Sequence, residues 1–195
     1  MPRRVSNMFL VGVLIAAAPL TAQQGATPKT QRGMLEVAVT YDATLSGATP
    51  SGNFWLQGGS VEIAGNFYRG LSAVADIGGM HTGNIDSSGV GLDLVTATFG
   101  PRYTWRPANK RYDLFGQGLV GEANGLNSLF PHASGATESA NSMAVEAGGG
   151  MNIALSSHLA LRAFEVNWLH TQLPNATTNV QNNVRFGAGI IFRFR

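Results

Sequence analysis

The chain has 195 residues, of which 12% are charged, 44% are hydrophobic and 25 are glycine. An ordinary soluble domain carries about twice this charged fraction, and a helical membrane protein would be far more apolar. The composition therefore favours a single domain with one face in lipid and the other in water. The absence of cysteine excludes a disulfide framework and a lipid anchor on an N-terminal cysteine.

The N-terminus has the three parts of a secretory signal peptide. Arg3 and Arg4 precede an apolar run over residues 8–18, and small residues follow at 20–22. The run is too short for a membrane-spanning helix, which needs about 20 apolar residues. We predict a helical signal peptide over 1–22 and export through the Sec pathway.

A flexible segment is expected over residues 23–33, before a folded domain over 34–195. Because Arg3 and Arg4 belong to the leader, the exported chain would have eleven basic and eleven acidic residues. The basic isoelectric point is thus a property of the leader, and we expect no nucleic-acid partner.

Eight later segments alternate apolar and polar residues with a period of two, which is typical of a β-strand with one apolar face. In the fifth segment the faces are ambiguous, because Phe115 and Leu119 share a side with Asp113 and Gln117. The predicted strands cover 34–42, 61–67, 71–77, 95–105, 112–121, 143–153, 163–168 and 182–195.

The connections between these segments alternate strictly between long and short. Strands of about 9–11 residues cross a bilayer when tilted, and up-and-down barrels place long loops outside and short turns in the periplasm. We therefore predict an all-β fold, an eight-stranded antiparallel up-and-down transmembrane β-barrel. The long connections are Ala43 to Gly59, Met80 to Gly91, Ala123 to Ser142 and Gln172 to Asn182.

The two faces of the strands predict two sets of structural residues. An eight-stranded barrel is just wide enough for side chains to fill it, so inward acids and arginines should pair with one another. This polar network of the lumen is predicted to contain Glu36, Glu62, Asp76, Arg102, Glu146, Glu165, Arg185 and Arg193. An aromatic girdle at the lipid interfaces is predicted from Tyr41, Phe67, Tyr103, Trp105, Trp168, Phe192 and Phe194.

Motifs for catalysis, cofactor binding or metal binding find little support. The GQGLVG stretch fits a dinucleotide fingerprint, but it lies inside a strand with no helix after it. Gly148-Gly149-Gly150 is interpreted as a bend of the barrel wall. The carboxylates are spread over most strands, as in a lumen lining, and no histidine cluster has metal-ligand spacing. We predict no catalytic, cofactor or metal site.

Three stretches resemble the small outer-membrane barrels of the OmpA-like and OmpX-like group. FGPRYTWR (Phe99 to Arg106) is similar to their fourth strand, AGGGMNIALSSHLALRA (Ala147 to Ala163) to the sixth and seventh, and NNVRFGAGIIFRF (Asn182 to Phe194) to the last. The resemblance covers Met34 to Arg195 and implies an eight-stranded barrel without a peptidoglycan-binding domain. It also implies that the C-terminal strand, ending Phe194-Arg195, contacts the barrel assembly machinery.

The expected function is a structural or surface-interaction protein in the outer membrane of a Gram-negative-type bacterium, with loops exposed to the exterior. Outer-membrane lipids and lipopolysaccharide are the expected partners of a monomer. One alternative is a lipid A deacylase-like hydrolase, because those enzymes place a His and a Ser on the lipid-facing side. Here His170 is followed by Thr171 and Gln172. A small channel is the other alternative.

Overall fold

The computed structural model describes residues 34–49, 52–85, 89–107, 111–133, 135–175 and 178–194. They form eight antiparallel strands in a closed barrel, in which each strand pairs with its neighbours in sequence and β1 pairs with β8. No helix in this part of the chain is long and apolar enough to cross a membrane. The strands are β1 (Leu35–Thr49), β2 (Gly52–Tyr68), β3 (Leu71–Thr82), β4 (Leu92–Trp105), β5 (Tyr112–His132), β6 (Gly135–Ala154), β7 (Leu159–Thr171) and β8 (Gln181–Phe194).

Closure of the barrel confirms the predicted fold class. β1 and β8 pair without interruption from Leu35 opposite Phe194 to Ser46 opposite Asn183, so the sheet has no free edge. We call the end where β1 begins and β8 finishes the terminal end, and the opposite end the hairpin end. The predicted signal peptide (1–22) and the segment 23–33 lie outside the described residues.

The period-two alternation of the sequence becomes the two faces of the barrel wall. On β1, Leu35, Val39 and Tyr41 are exposed on the outside, whereas Glu36 and Thr40 are buried inside. The same pattern holds on the other strands, because successive side chains of a strand point to opposite faces. The outside therefore forms an apolar belt, and the interior is lined by polar side chains.

Two of the long connections predicted as loops are mostly strand. β1 and β2 extend into residues 43–59, and β5 and β6 extend through 123–142 as a hairpin. Asn, Ser and Gly without alternation gave no strand signal there. The hairpins pair nonetheless, because backbone hydrogen bonds to the neighbouring strand need no apolar face.

The short connections lie at the terminal end, as predicted. Between β2 and β3, Arg69 and Gly70 both have positive φ angles, of 40° and 88°. Two consecutive positive φ values characterise the tight turns that match the twist of a two-stranded ribbon, with glycine favoured at the second position. The turn is fixed to β4 because the Thr104 N–H donates to the Gly70 carbonyl over 2.8 Å.

Candidate functional site

The eight side chains predicted for the polar network all lie inside the barrel, each with at most 9% of its surface exposed. They form three clusters stacked along the barrel axis. The sequence analysis did not include several residues that make hydrogen bonds or ion pairs within these clusters. These are Asp42, Arg106, Asp113, Gln117, Arg162 and Asn167.

The cluster at the terminal end joins β1, β5 and β8. Arg193 donates from Nε to Glu36 Oε1 over 3.0 Å and from Nη2 to Asp113 Oδ2 over 2.7 Å. Arg106, which is partly exposed, lies 3.6 Å from each of the same two carboxylates. Two arginines thus face two acids, and this end of the lumen is electrically balanced.

The central cluster crosses the full width of the barrel. Glu62 on β2 accepts hydrogen bonds from both Arg102 on β4 and Arg162 on β7, including one of 2.6 Å from Arg102 Nη1 and one of 2.9 Å from Arg162 Nη2. Arg162 also donates to Glu165 over 2.6 Å. Forked contacts of this kind are the strongest that a guanidinium makes with carboxylates.

An aromatic ring and an amide complete the central cluster. Phe115 lies against both guanidinium groups, with its ring centroid 4.3 Å from Arg102 Cζ and 4.9 Å from Arg162 Cζ. Gln117 accepts from Arg102 Nε over 2.9 Å and donates to Glu165 over 3.0 Å. These contacts settle which face of β5 is the inner one. Phe115 and Gln117 both point inward, and both contact the guanidinium group of Arg102.

The third cluster, nearest the hairpin end, has more acid than base. Arg185 donates to Asp76 over 3.2 Å and to Glu146 over 2.5 Å, and Asp42 lies beside it, bonded to Thr40. One oxygen of Asp42 and one of Glu146 have no protein hydrogen-bond partner. Since buried charge is stabilised only where it is paired, this is the least compensated level of the lumen.

Arg162 was not predicted as a member of the polar network because a β-bulge precedes Glu165 on β7. The pairing of β7 with β8 runs from Arg162 opposite Gly189 to Glu165 opposite Gly187, so two residues of β7 face one of β8. The bulge shifts the alternation by one position, and both Arg162 and Glu165 point inward. The signal in the sequence was the regular Leu159-Ala160-Leu161-Arg162 stretch, whose phase disagrees with that of the residues after it.

An apolar cluster fills the mouth of the barrel above the charged clusters. This cluster was not predicted, because its members come from strand ends and from stretches predicted as loops. Phe130 reaches the cluster because β5 bends at an irregularity between Leu126 and Phe130, where Asn127 has a φ of 53°. The buried members are Phe54, Leu56, Met80, Leu92, Leu94, Ala123, Phe130, Ala144, Leu169 and Leu173.

The seven residues predicted for the aromatic girdle all point outward, with 43% to 59% of their surface exposed. Tyr41 reaches a polar neighbour on the outside, because its hydroxyl donates to Gln57 over 3.1 Å. Trp55, which the sequence analysis did not select, lies 6.2 Å from Phe186 between ring centroids. These rings stand among aliphatic side chains of the apolar belt.

Outside the barrel, near the hairpin end, a carboxylate joins three strands. Asp93 on β4 lies 2.5 Å from His81 Nδ1 on β3 and accepts a hydrogen bond from the Asn127 amide on β5. These bonds, the one with His81 first, lower the pKa of Asp93 below its usual range. The sequence analysis did not connect His81 with Asp93.

Removal of this carboxylate should loosen the hairpin ends of β3, β4 and β5. A lowered pKa means that the stabilisation is present at neutral pH and is lost as the pH falls past the ordinary aspartate value, about 3.9, to the lower folded value. In Asp93→Asn, we expect amide exchange over residues 80–85 and 89–94 to be about two- to fivefold faster at pH 7, the size of effect usual for an exposed pair of polar side chains. Glu138→Gln, at an exposed carboxylate on β6, is the control. Equal amide exchange in both variants would refute the conclusion that Asp93 holds β3, β4 and β5 together.

His170 does not meet a nucleophile in the described part of the structure. Its Nδ1 lies 3.0 Å from Asn182 Oδ1, and its ring packs 5.5 Å from that of Trp168. The next residue, Thr171, points into the barrel, where its hydroxyl donates to Gln181. Among the described residues, His170 therefore has no hydroxyl partner on the lipid-facing side. The described residues also contain no group of three or more His, Asp or Glu that could hold a metal.

A closed barrel of eight antiparallel strands, apolar outside and filled with ion pairs inside, defines the class of small outer-membrane β-barrels. The chain has this fold. No protein-family model and no curated protein matches its sequence, so the similarity is found in solved structures.

Three of the solved structures that are similar to this chain illustrate the architecture. Neisserial surface protein A is 10% identical with a TM-score of 0.60, covering 83% of this chain and 97% of that one. Ail, the attachment invasion locus protein of Yersinia pestis, in complex with the heparin analogue sucrose octasulfate, is 14% identical with a TM-score of 0.56, covering 84% and 99%. The N-terminal barrel of Pseudomonas aeruginosa OprF is 12% identical with a TM-score of 0.51, covering 84% and 100%. Identities this low establish the fold alone.

Proposed function

We propose that the chain is a monomeric, non-catalytic protein of the bacterial outer membrane that acts through its projecting hairpins. The observation that carries the proposal is the contrast between a filled lumen and a β5–β6 hairpin that extends beyond the neighbouring strands. β5 and β6 have 21 and 20 residues, against 12 to 14 in β3, β4, β7 and β8. β5 continues for six residues beyond Leu126, which pairs with Asp93 near the start of β4. The hairpin therefore extends past the neighbouring wall, and its bend turns Phe130 into the mouth.

The filled lumen argues against a channel. The central cluster spans the barrel from β2 to β7 through buried ion pairs, and the apolar cluster covers the mouth above it. An ion entering from the hairpin end would have to pass an apolar layer and then displace paired charges. Both steps are costly, because an unpaired charge in such surroundings loses its hydration.

The apolar belt supports placement in a membrane. Ile77, Phe99 and Tyr103 are each more than half exposed on the outside, and a soluble protein rarely leaves a contiguous surface of this kind uncovered. The girdle rings would lie at the two lipid interfaces, in contact with phospholipid and lipopolysaccharide. In this placement the hairpin end faces the exterior, the short turns face the periplasm, and β8 is the strand that the assembly machinery contacts.

The amino-acid composition of the hairpin end restricts the chemical class of the partner. The four connections at this end, residues 43–59, 80–93, 122–142 and 172–183, contain no lysine or arginine. They carry Asn, Ser, Thr and Gly, with four acidic residues in all. Sulfated glycans are bound through cationic side chains, so the ligand seen with Ail is a poor guide here. We propose a partner that is recognised by hydrogen bonds and is not strongly anionic.

Orientation and function can be tested in the same cells. The native chain contains no cysteine, so Ser139→Cys on the β6 side of the hairpin and Ser157→Cys in a short turn are single labelling sites. A membrane-impermeant maleimide should label Cys at 139 on intact cells, and Cys at 157 only after permeabilisation. The reverse pattern would refute the orientation.

Shortening both long hairpins should abolish binding and keep the barrel. Leu126 pairs with Ser139, and Ser46 with Phe54, so an Asn-Gly turn can replace residues 127–138 and 47–53. We expect adhesion of expressing cells to an array of uncharged glycans to be lost, and little adhesion of either strain to heparin. Heat-modifiable migration on gels serves as the folding control. Unchanged adhesion of a folded, shortened protein would contradict the proposal.

A further inference from the structure

A half-open cavity lies at the hairpin end, between the β5–β6 hairpin and the β7–β8 connection. Its volume is about 190 Å³. The apolar part of its wall comes from the edge of the mouth cluster, with Phe54, Leu92, Phe130 and Leu173. Ile85, from the β3–β4 connection, closes another side. The cavity is therefore built by four separate connections and exists only in the folded barrel.

Two amide side chains in the cavity wall are already engaged within the protein. Gln181 accepts hydrogen bonds from the Thr171 hydroxyl and the Leu173 N–H, and its amide donates to the Leu173 carbonyl over 2.7 Å. Asn175 Oδ1 accepts from the N–H groups of Thr178 and Asn179. These bonds fix the β7–β8 connection around the cavity. They leave the two amide oxygens committed within the protein, so a polar ligand would gain little from them.

The rim of the cavity exposes a large apolar side chain. Leu129 lines the cavity and keeps 62% of its surface exposed. It lies between Asn127, whose positive φ helps to bend β5, and Phe130, which the bend turns into the mouth cluster. The bend that buries Phe130 thus leaves Leu129 beside an open apolar space. A molecule in the cavity would cover this side chain.

We propose that this cavity is a binding site for a small uncharged apolar molecule, about the size of one substituted aromatic ring. An apolar protein cavity of about 150 Å³ is large enough to hold benzene, and the present volume allows one or two further carbon atoms. A largely apolar wall whose described residues include no charged side chain and whose two amide oxygens are engaged favours such a ligand over a charged one, whose desolvation would not be offset here. The site is independent of whether the hairpins bind a macromolecule.

Toluene is a suitable probe, followed by methyl NMR of the full barrel in detergent micelles. The Ile85 δ1-methyl reports on the cavity, whereas Ile77 and Ile190, which are 62% and 47% exposed on the outside, report on toluene dissolved in the micelle. We expect the Ile85 signal to shift and to saturate at one toluene per protein. Benzoate should bind at least tenfold more weakly.

A filling variant separates the site from general partitioning. Ser128 lines the cavity, so Ser128→Phe should abolish the saturable shift, and Ser139→Phe, at an exposed position outside the cavity, should retain it. Heat-modifiable migration confirms that both variants fold. The proposal is overturned if the Ile85 shift rises linearly together with those of Ile77 and Ile190, if it survives in Ser128→Phe, or if benzoate matches toluene.

Discussion

Replacing Arg162 by methionine should lower the free energy of unfolding by about 3–5 kcal/mol, the usual effect of removing one partner of a buried ion pair. The side chain is 1% exposed and bonds both Glu62 and Glu165. Its loss leaves Glu165 without its arginine and Glu62 with Arg102 alone. Urea unfolding of the detergent-solubilised barrel, followed by heat-modifiable migration, measures the change.

Arg106→Met is the matched control, because Arg106 is partly exposed and lies 3.6 Å from its carboxylates. We expect it to cost less than about 1 kcal/mol. Adding Glu165→Gln to Arg162→Met should recover part of the loss, since Glu165 is the carboxylate that is left without an arginine when Arg162 is removed. Equal effects of the Arg162 and Arg106 replacements would show that the central cluster does not hold the barrel together.

A single methyl group added at Gly148 should lower the free energy of unfolding nearly as much as the replacement of Arg162. A Cβ there would overlap with Asn167 Oδ1 and with the Val166 carbonyl of β7, so β6 and β7 would have to separate. Forced overpacking costs about 1–3 kcal/mol, and we expect Gly148→Ala to reach the upper end because one of the obstacles is backbone. Asn167 would also be displaced from its 2.7 Å hydrogen bond to Glu165.

Gly118→Ala provides a control on the facing strand. Gly118 pairs with Ala147, next to Gly148, but it points outward, and a Cβ there would meet no atom within 4 Å. We expect its free energy of unfolding to stay within about 0.5 kcal/mol of the wild-type value. A Gly148→Ala barrel as stable as Gly118→Ala would mean that the strands part more easily than their packing indicates.

These two sites show what could and could not be predicted. The glycine run was expected to mark a bend of the wall. The structure shows that Gly148 is a position where β7 comes too close for a side chain. Arg162 was missed because a bulge reverses the faces of β7 at that point. A bulge is one extra residue in a pairing, and it becomes visible only when the partner strand and its register are known.

The sequence by itself determined which face of most strands is apolar, and hence that eight such strands form a barrel with acids and arginines inside. That information is local, because it depends only on a period of two along each strand. The tertiary structure decided which face of β5 points inward: Phe115 and Gln117 lie inside the barrel, where both contact Arg102. It also decided the length of the hairpins, the apolar mouth and the cavity beside Leu129. These features depend on how distant strands meet after closure, which no single strand encodes.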